Sequence, residues 1–279
     1  AHSIHAALAA FDKPYWNSDI GRALYRPLVV LSFGVDWQLS GGSARWFHAV
    51  NLGWHAAATA LLVPVIAAYA GPAAALAGGI VFAVHPVHVE AVANVVGRAE
   101  LMAATFLFGA LLLARAIRRR RGRGVSTGAL EVALLGAVAL ALLSKEHAVV
   151  AIALLALDDL GTRAAVGPRM PWRVYAAVLL LTVAWFIGRW AVEGGGSFEA
   201  VAPMFRLLGP GGRVSTMLPV VFVLLRLLVW PFDLSPDYDP QVVPRLEHLT
   251  VVGVAGAVVL AAAAALALAL WRRRRAASV

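Results

Sequence analysis

The chain has 279 residues, is 61% hydrophobic with a mean hydropathy of +0.78, and carries a formal charge of +9. Soluble domains hold about 45–50% apolar residues; here the excess lies in long runs nearly free of charge, which excludes an ordinary water-soluble enzyme. Thirteen of the 24 Lys and Arg residues crowd into Arg115–Arg123, Gly161–Arg173 and Arg272–Arg275, the pattern of cytoplasmic loops and not of a nucleic-acid-binding surface, and the absence of cysteine excludes disulfides, thiolate metal sites and a Cys nucleophile.

Residues 1–26 mix apolar and charged side chains (Asp12, Lys13, Asp19, Arg22) and read as an extramembrane loop. Pro27–Leu39 is apolar but short and contains Asp36, which predicts a helix along the interface. Phe47–Ala70 is long enough to cross, and Gly71-Pro72 predicts a tight turn. Pro72–Val84 then leads to the polar stretch His85-Pro-Val-His88-Val-Glu90. Gly97–Arg115 is the next predicted span. Gly128–Leu143 and Ala148–Leu157 flank Ser144-Lys145-Glu146-His147. Val174–Val192, Val214–Trp230 and Leu249–Leu270 complete the series. The fold expected is an all-α polytopic transmembrane helix bundle with interfacial helices on its outer side. It occupies residues 1–271 as one domain, followed by a basic tail over 272–279.

If the arginine-rich segments face the cytoplasm, His85–Glu90, Ser144–His147 and Asp233–Asp239 face outward. Val214–Trp230 breaks the alternation. It cannot be a simple single crossing and stays open between a re-entrant segment, a helix along the outer interface, and a crossing shared with Ala200–Leu208. About 20 helical residues are needed to cross a hydrocarbon core of about 30 Å. Pro72–Val84 has 13 residues and Ala148–Leu157 has 10. The polar motifs at their outer ends are therefore expected below the membrane surface, facing a polar cavity, where ionisable residues are functional candidates.

Four groups of residues carry this expectation. His85, His88, Glu90, Asn94, Arg98 and Glu100 follow one another closely. The two histidines, three apart, share a helix face, but Pro86 between them and the lack of an i, i+4 histidine argue against a metal. The group is either an internal network or a substrate site, with Glu90 or Glu100 as acid, base or acceptor ligand and Arg98 on a phosphate. Lys145 and Glu146 form either a self-satisfying ion pair or a phosphate-facing cation with its neighbour. Arg26 stands where the first loop enters the membrane, and His48, Asn51 and His55 line one helix face at i, i+3, i+7. Arg213 and Arg226 flank or enter the Val214–Trp230 run; Arg226 either snorkels to the interface or clamps a lipid phosphate. No Walker loop, dinucleotide fingerprint, HExxH or GxSxG occurs.

The segments LYRPLVVLSF (Leu24–Phe33), FHAVNLGWHA (Phe47–Ala56), FAVHPVHVEAVANVVGRAEL (Phe82–Leu101), LLSKEH (Leu142–His147) and WPFDLSPDY (Trp230–Tyr238) occur in a familiar order. Together they resemble the transmembrane and tetratricopeptide-repeat O-mannosyltransferases and their bacterial relatives. The resemblance runs from Leu24 to about Tyr238. It implies a GT-C-type glycosyltransferase that moves a sugar, mannose by the family's name, from a polyprenyl-phosphate carrier to a hydroxyl acceptor, protein or glycan. It further implies a multi-pass protein, of the bacterial inner membrane, with its active site on the periplasmic side. No cofactor is certain, and a divalent metal stays open but is not expected. Such enzymes carry a catalytic acid in the first outer loop, usually in an Asp-Asp or Asp-Glu pair. No such pair stands here, so the main base is expected upstream of residue 1, the chain being an N-terminally truncated, partial enzyme. Glu90 and Glu100 are then supporting carboxylates. Arg26, His48, Asn51, His85, His88, Arg98, Lys145, Glu146, Arg213 and Arg226 are expected around substrate and lipid phosphate. Two other classes stay open: a proton- or solute-coupled transporter, since intramembrane ionisable residues also mark transport paths, and a non-catalytic membrane anchor for tetratricopeptide repeats.

Overall fold

Lipid offers no hydrogen bonds to the backbone, so the apolar runs must close their own, and they do so as helices. The computed structural model describes residues 8–13, 15, 24–162, 166–193, 208–232, 234 and 243–276; for 267 and 270–276 it describes the backbone only. Asp19, Asp233, the segment 194–207 and residues 235–242 lie outside the described residues. The described residues contain helices and turns and no strand. They fall into two compact units, Ala1–Gly196 and Ser197–Val279.

Among the described residues the first unit holds seven α-helices: α1 (Pro27–Ser40), α2 (Ala44–Val84), α3 (Val89–Ala93), α4 (Arg98–Gly122), α5 (Gly128–Ser144), α6 (Ala151–Gly161) and α7 (Trp172–Glu193). Short 3-10 turns at Pro86–His88, Val95–Gly97 and Glu146–Val150 join α2 to α3, α3 to α4 and α5 to α6. The long α2 is a helical hairpin. Gly71 sits at φ 81°, ψ 173°, a conformation open in practice only to glycine. The chain reverses there. Gly79 then lies against Val63 and Gly78 against Ile66, where a Cβ would come within 2.6 and 2.9 Å of those side chains. The return leg, 72–84, rises only about 20 Å at 1.5 Å per residue, so it ends short of a full crossing, as its length predicts.

The core is apolar and small-residue-rich. Ala110, Ala114 and Ile117 of α4 pack with Leu134, Val138 and Ala141 of α5, Leu155 of α6 and Val178 of α7, all buried. Small side chains let helices approach closely in a membrane. The outward faces are apolar as well: Leu76, Ile80, Leu180 and Ile187 are each more than half exposed. Apolar residues outside and ions inside is the distribution of a protein solvated by lipid. Among the described residues four stretches, Ala44–Val84, Val95–Gly122, Trp172–Glu193 and Pro210–Val229, are long and apolar enough to cross a membrane. The chain is an integral membrane protein.

One boundary differs from the sequence expectation. The span expected to end at Arg115 continues as helix to Gly122, and two arginines of the run turn inward. Arg115 forks onto Asp158 (2.5 Å) and donates to the carbonyls of Pro64 and Val65. Arg118 pairs with Asp159 at 3.0 Å and donates to Thr162 and to the Gly167 and Pro168 carbonyls. The Tyr69 and Tyr175 hydroxyls donate to Asp158 and Asp159. Charges buried this way need every partner they have.

The second unit contains α8 (Pro210–Met217), α9 (Val220–Val229) and α10 (Val251–Ala276). The Val214–Trp230 run is broken at Leu218-Pro219, yet 210–229 together suffices for a crossing. The Thr216 hydroxyl donates to the Leu246 carbonyl and accepts from the Leu246 amide, tying α8 to the segment before α10.

Candidate functional site

At the end of α4 opposite the arginine run, three elements bring their polar residues together. Arg26 caps the N-terminus of α1, Arg98 and Glu100 begin α4, and Lys145, Glu146 and His147 form the turn from α5 to α6. Helix α5 stops because Lys145 takes an extended conformation (φ −156°, ψ 140°). Successive side chains then find different partners. Lys145 pairs with Glu100 of α4. Glu146 receives two hydrogen bonds from Arg26, Nε to Oε2 at 3.0 Å and Nη2 to Oε1 at 2.7 Å. His147 Nδ1 stands 3.4 Å from Glu100 Oε2. The Arg26 guanidinium also lies 5.9 Å from the Tyr15 ring centre.

The cluster opens to its surroundings on one side. Glu100 is 44% exposed, His147 42% and Glu146 29%, against 10% for Arg26. Burial pushes the Glu146 carboxyl up, but the hydrogen bonds and charge of Arg26 outweigh it and hold the group below its ordinary range. Burial, with Lys145 beside it, holds the His147 imidazole below its usual value despite the pull of Glu100. Burial raises the Tyr15 hydroxyl.

Arg98 behaves differently from the expected phosphate ligand. It is fully buried, and each of its three nitrogens is engaged. Nε donates to Asn51 Oδ1 (2.8 Å), Nη1 meets Asp36 (2.5 Å) and Ser32 (3.2 Å), and Nη2 donates to the Phe47 carbonyl (3.2 Å). Its plane also lies 4.7 Å from the Phe33 ring centre. A guanidinium committed in this way has nothing to offer a phosphate; it joins α1, α2 and α4.

No family model and no solved structure matches the chain. Among curated proteins, it is similar to protein O-mannosyl-transferase Tmtc2 of Drosophila melanogaster, 35% identical over 253 residues, 86% of this chain and 27% of that protein. It is similar to protein O-mannosyl-transferase TMTC4 of Homo sapiens, 37% identical over 163 residues, 52% of this chain and 22% of that protein. Drosophila Tmtc1 matches at 40% over 137 residues, 48% of this chain and 15% of that protein. The chain belongs to the TMTC-like family. It spans roughly a quarter or less of the length of these relatives.

In this TMTC-like chain the remaining predicted residues divide among several places. Of the face formed by His48, Asn51 and His55, His48 is exposed while Asn51 and His55 turn inward. Asn51 Nδ2 donates to the Val92 and Asn94 carbonyls, fixing the α3–α4 loop. His55 Nε2 meets the Ala83 carbonyl at 3.0 Å, holding the two legs of α2 together. His85 Nδ1 accepts from the Val87 amide as a cap. His88 packs between Phe82 (4.3 Å), His55 (5.4 Å) and His85 (6.2 Å) beside a cavity of about 220 Å³. Burial and the two neighbouring imidazoles hold His88 below its ordinary value. Among the described residues no three His, Cys, Asp or Glu side chains are placed to hold a metal ion. Glu90 accepts from Asn94 Nδ2 at 2.7 Å on the exposed side of that loop. Arg213 and Arg226 belong to the second unit; Arg213 donates to the Leu208 carbonyl at 3.0 Å and Arg226 is exposed.

Sequence reasoning passed over Asp36, whose signal was a lone carboxylate in an apolar helix. It also placed no weight on His147 beyond its motif, or on Tyr15. What the open cluster offers chemically is two cations, Arg26 and Lys145, and two carboxylates, Glu100 and Glu146, in alternating charge.

Proposed function

We propose that this chain provides the membrane-embedded site of a glycosyltransferase that moves mannose from a polyprenyl-phosphate carrier to a protein hydroxyl on the extracytoplasmic face. The observation that carries the proposal is the partly open, alternating cluster Arg26–Glu146 and Lys145–Glu100–His147, in a chain whose relatives are named protein O-mannosyl-transferases. The cluster sits at the end of α4 away from Arg119–Arg123, and basic termini favour the cytoplasmic side. A carrier entering from the bilayer presents an anionic phosphate, for which Lys145 is a compact cation. Phosphate then competes with Glu100 for Lys145 and frees that carboxylate. Glycosyl transfer to an alcohol requires removal of its proton, a task for a carboxylate within reach. Glu100, the most exposed acid of the cluster, takes that part or assists it. Arg26 holds Glu146 as a fixed second charge.

The test is turnover by the protein in lipid vesicles, supplied with labelled polyprenyl-phosphate mannose and peptides containing Ser and Thr. Label transferred to peptide, with matching release of polyprenyl phosphate, is the expected result. Glu100→Gln should reduce the rate roughly 100-fold, and Lys145→Met should raise the donor concentration needed. No transfer across a panel of lipid-linked sugars, or an unchanged rate in E100Q, sinks the proposal. Solute uptake in the same vesicles would favour a transporter instead.

A further inference from the structure

The arginine-rich end of the first unit contains a second polar concavity. An open pocket of about 630 Å³ is lined by Arg121 from the end of α4, the turn 124–127, Gly128 at the start of α5, and Arg173 at the start of α7. Its walls come from three helices that the fold holds at one level. Helix α4 is closed by the Arg123, Gly124 and Val125 amides, which donate back to the Arg120 and Arg121 carbonyls. The first helical hydrogen bond of α5 is made by the Glu131 amide to Thr127. The amides ahead of it carry no intrahelical bond.

The charge here is not cancelled internally. Arg115 and Arg118 are spent on Asp158 and Asp159. Arg119, Arg120, Arg121, Arg123 and Arg173 remain exposed. Against them stands Glu131, which pairs with Arg173 at 2.7 Å. The Arg121 side chain makes no hydrogen bond or ion pair among the described residues, and it lines the pocket. Two apolar side chains mark the depth. Trp172, next to Arg173, is 80% exposed, and Val125 in the turn is 50% exposed. Tryptophan so placed at the end of a spanning helix sits at the level of lipid headgroups. A basic pocket between spanning helices at headgroup depth suits an anionic lipid.

We infer that the pocket between Arg121 and Arg173 binds the headgroup of an anionic phospholipid. Its phosphodiester lies between the two guanidiniums and its acyl chains run along the exposed apolar face of α7, where Leu179, Leu180, Val183 and Ile187 stand. The site lies at the far end of α4 from the cluster at Glu100 and does not depend on the function proposed for that cluster.

The experiment is native mass spectrometry of the intact protein in detergent, titrated with phosphatidylglycerol or with phosphatidylcholine of the same chains. Phosphatidylglycerol should be retained preferentially. Removing both charges in R121Q/R173Q should weaken its retention roughly 30-fold, from about fivefold per arginine. R121Q alone, which breaks no internal pair, should account for about fivefold. Arg169→Gln, an exposed arginine outside the pocket, should leave retention unchanged, and thermal unfolding of each variant shows that the fold is kept. Equal retention of the two lipids by the unaltered protein overturns the inference, as does undiminished retention by R121Q/R173Q. Full displacement of phosphatidylglycerol by millimolar inorganic phosphate assigns the pocket to a free anion and overturns the lipid assignment.

Discussion

Arg98 and Asp36 meet at 2.5 Å in the interior of the first unit, the arginine fully buried and the aspartate 5% exposed. Trp46 donates to the other carboxylate oxygen at 3.2 Å, and Asn51, Ser32 and the Phe47 carbonyl complete the arginine's shell. One ion pair therefore sets the positions of α1, α2 and α4 relative to each other. Arg26 at the start of α1 and Glu100 on α4, two contributors to the open cluster, are carried by helices that this joint connects.

Removing one partner leaves a buried charge. Arg98→Met should lower stability by about 3–5 kcal/mol. Adding Asp36→Leu should restore part of the loss, because the uncompensated carboxylate is then gone. Thermal unfolding in detergent of both single variants and the double variant measures this coupling. Strictly additive losses would show that the pair does not act as a unit.

The opposite end of α4 should respond in the same manner. Asp158 holds Arg115 and receives the Tyr69 hydroxyl. Asp158→Asn should cost about 3 kcal/mol or more, while Tyr69→Phe should cost about 1 kcal/mol. Chemical denaturation curves compare the two. A smaller loss for D158N than for Y69F would contradict the buried pairing.

Glu100 and Lys145 should show the reverse balance. Their pair is partly exposed, so E100Q should change stability by less than about 1 kcal/mol while transfer activity collapses. Parallel melting and turnover measurements separate the two effects. Equal losses of both would make Glu100 a structural residue.

Two pH windows follow from the shifted groups. His88 is held below its ordinary 6.5, so the unfolded chain takes up its proton more readily than the folded one, and stability falls as pH drops below about 6.5. Glu146 is held below its ordinary 4.5. Its contribution is complete above that value and is lost as pH falls beneath it. The midpoint of unfolding should therefore decline in two stages from pH 7.5 downward. H88Q should blunt the upper stage and E146Q the lower one. A single decline unaffected by H88Q would remove His88 from the account.

Gly71 tests the hairpin. At φ 81°, ψ 173° an added Cβ is strained, and Gly71→Ala should cost about 1–3 kcal/mol. The return leg carries Ala83 to His55 and the loop bearing Glu90. Proteolysis at that loop should become faster in the variant. Unchanged proteolysis and stability would mean that the leg is positioned by other contacts.

Much of this fold could be read along the chain. Apolar run length marked the spans, Gly71-Pro72 marked the reversal, and the 13 residues from 72 to 84 already implied an incomplete crossing, because rise per residue is constant in a helix. The arginine run marked one end of the bundle. Local composition and period carry these facts, and they need no distant partner. Which polar residues would be used up internally was decided only in three dimensions. Arg98, Lys145 and Arg115 look alike as isolated cations. Asp36 lies 62 positions from Arg98 and consumes it, Asp158 consumes Arg115, and Glu100 leaves Lys145 partly open. Periodicity says which face of a helix is polar; it does not say which carboxylate from another helix will meet that face. That choice is made by packing, and it separates an arginine that holds the bundle together from a lysine that remains at its open edge.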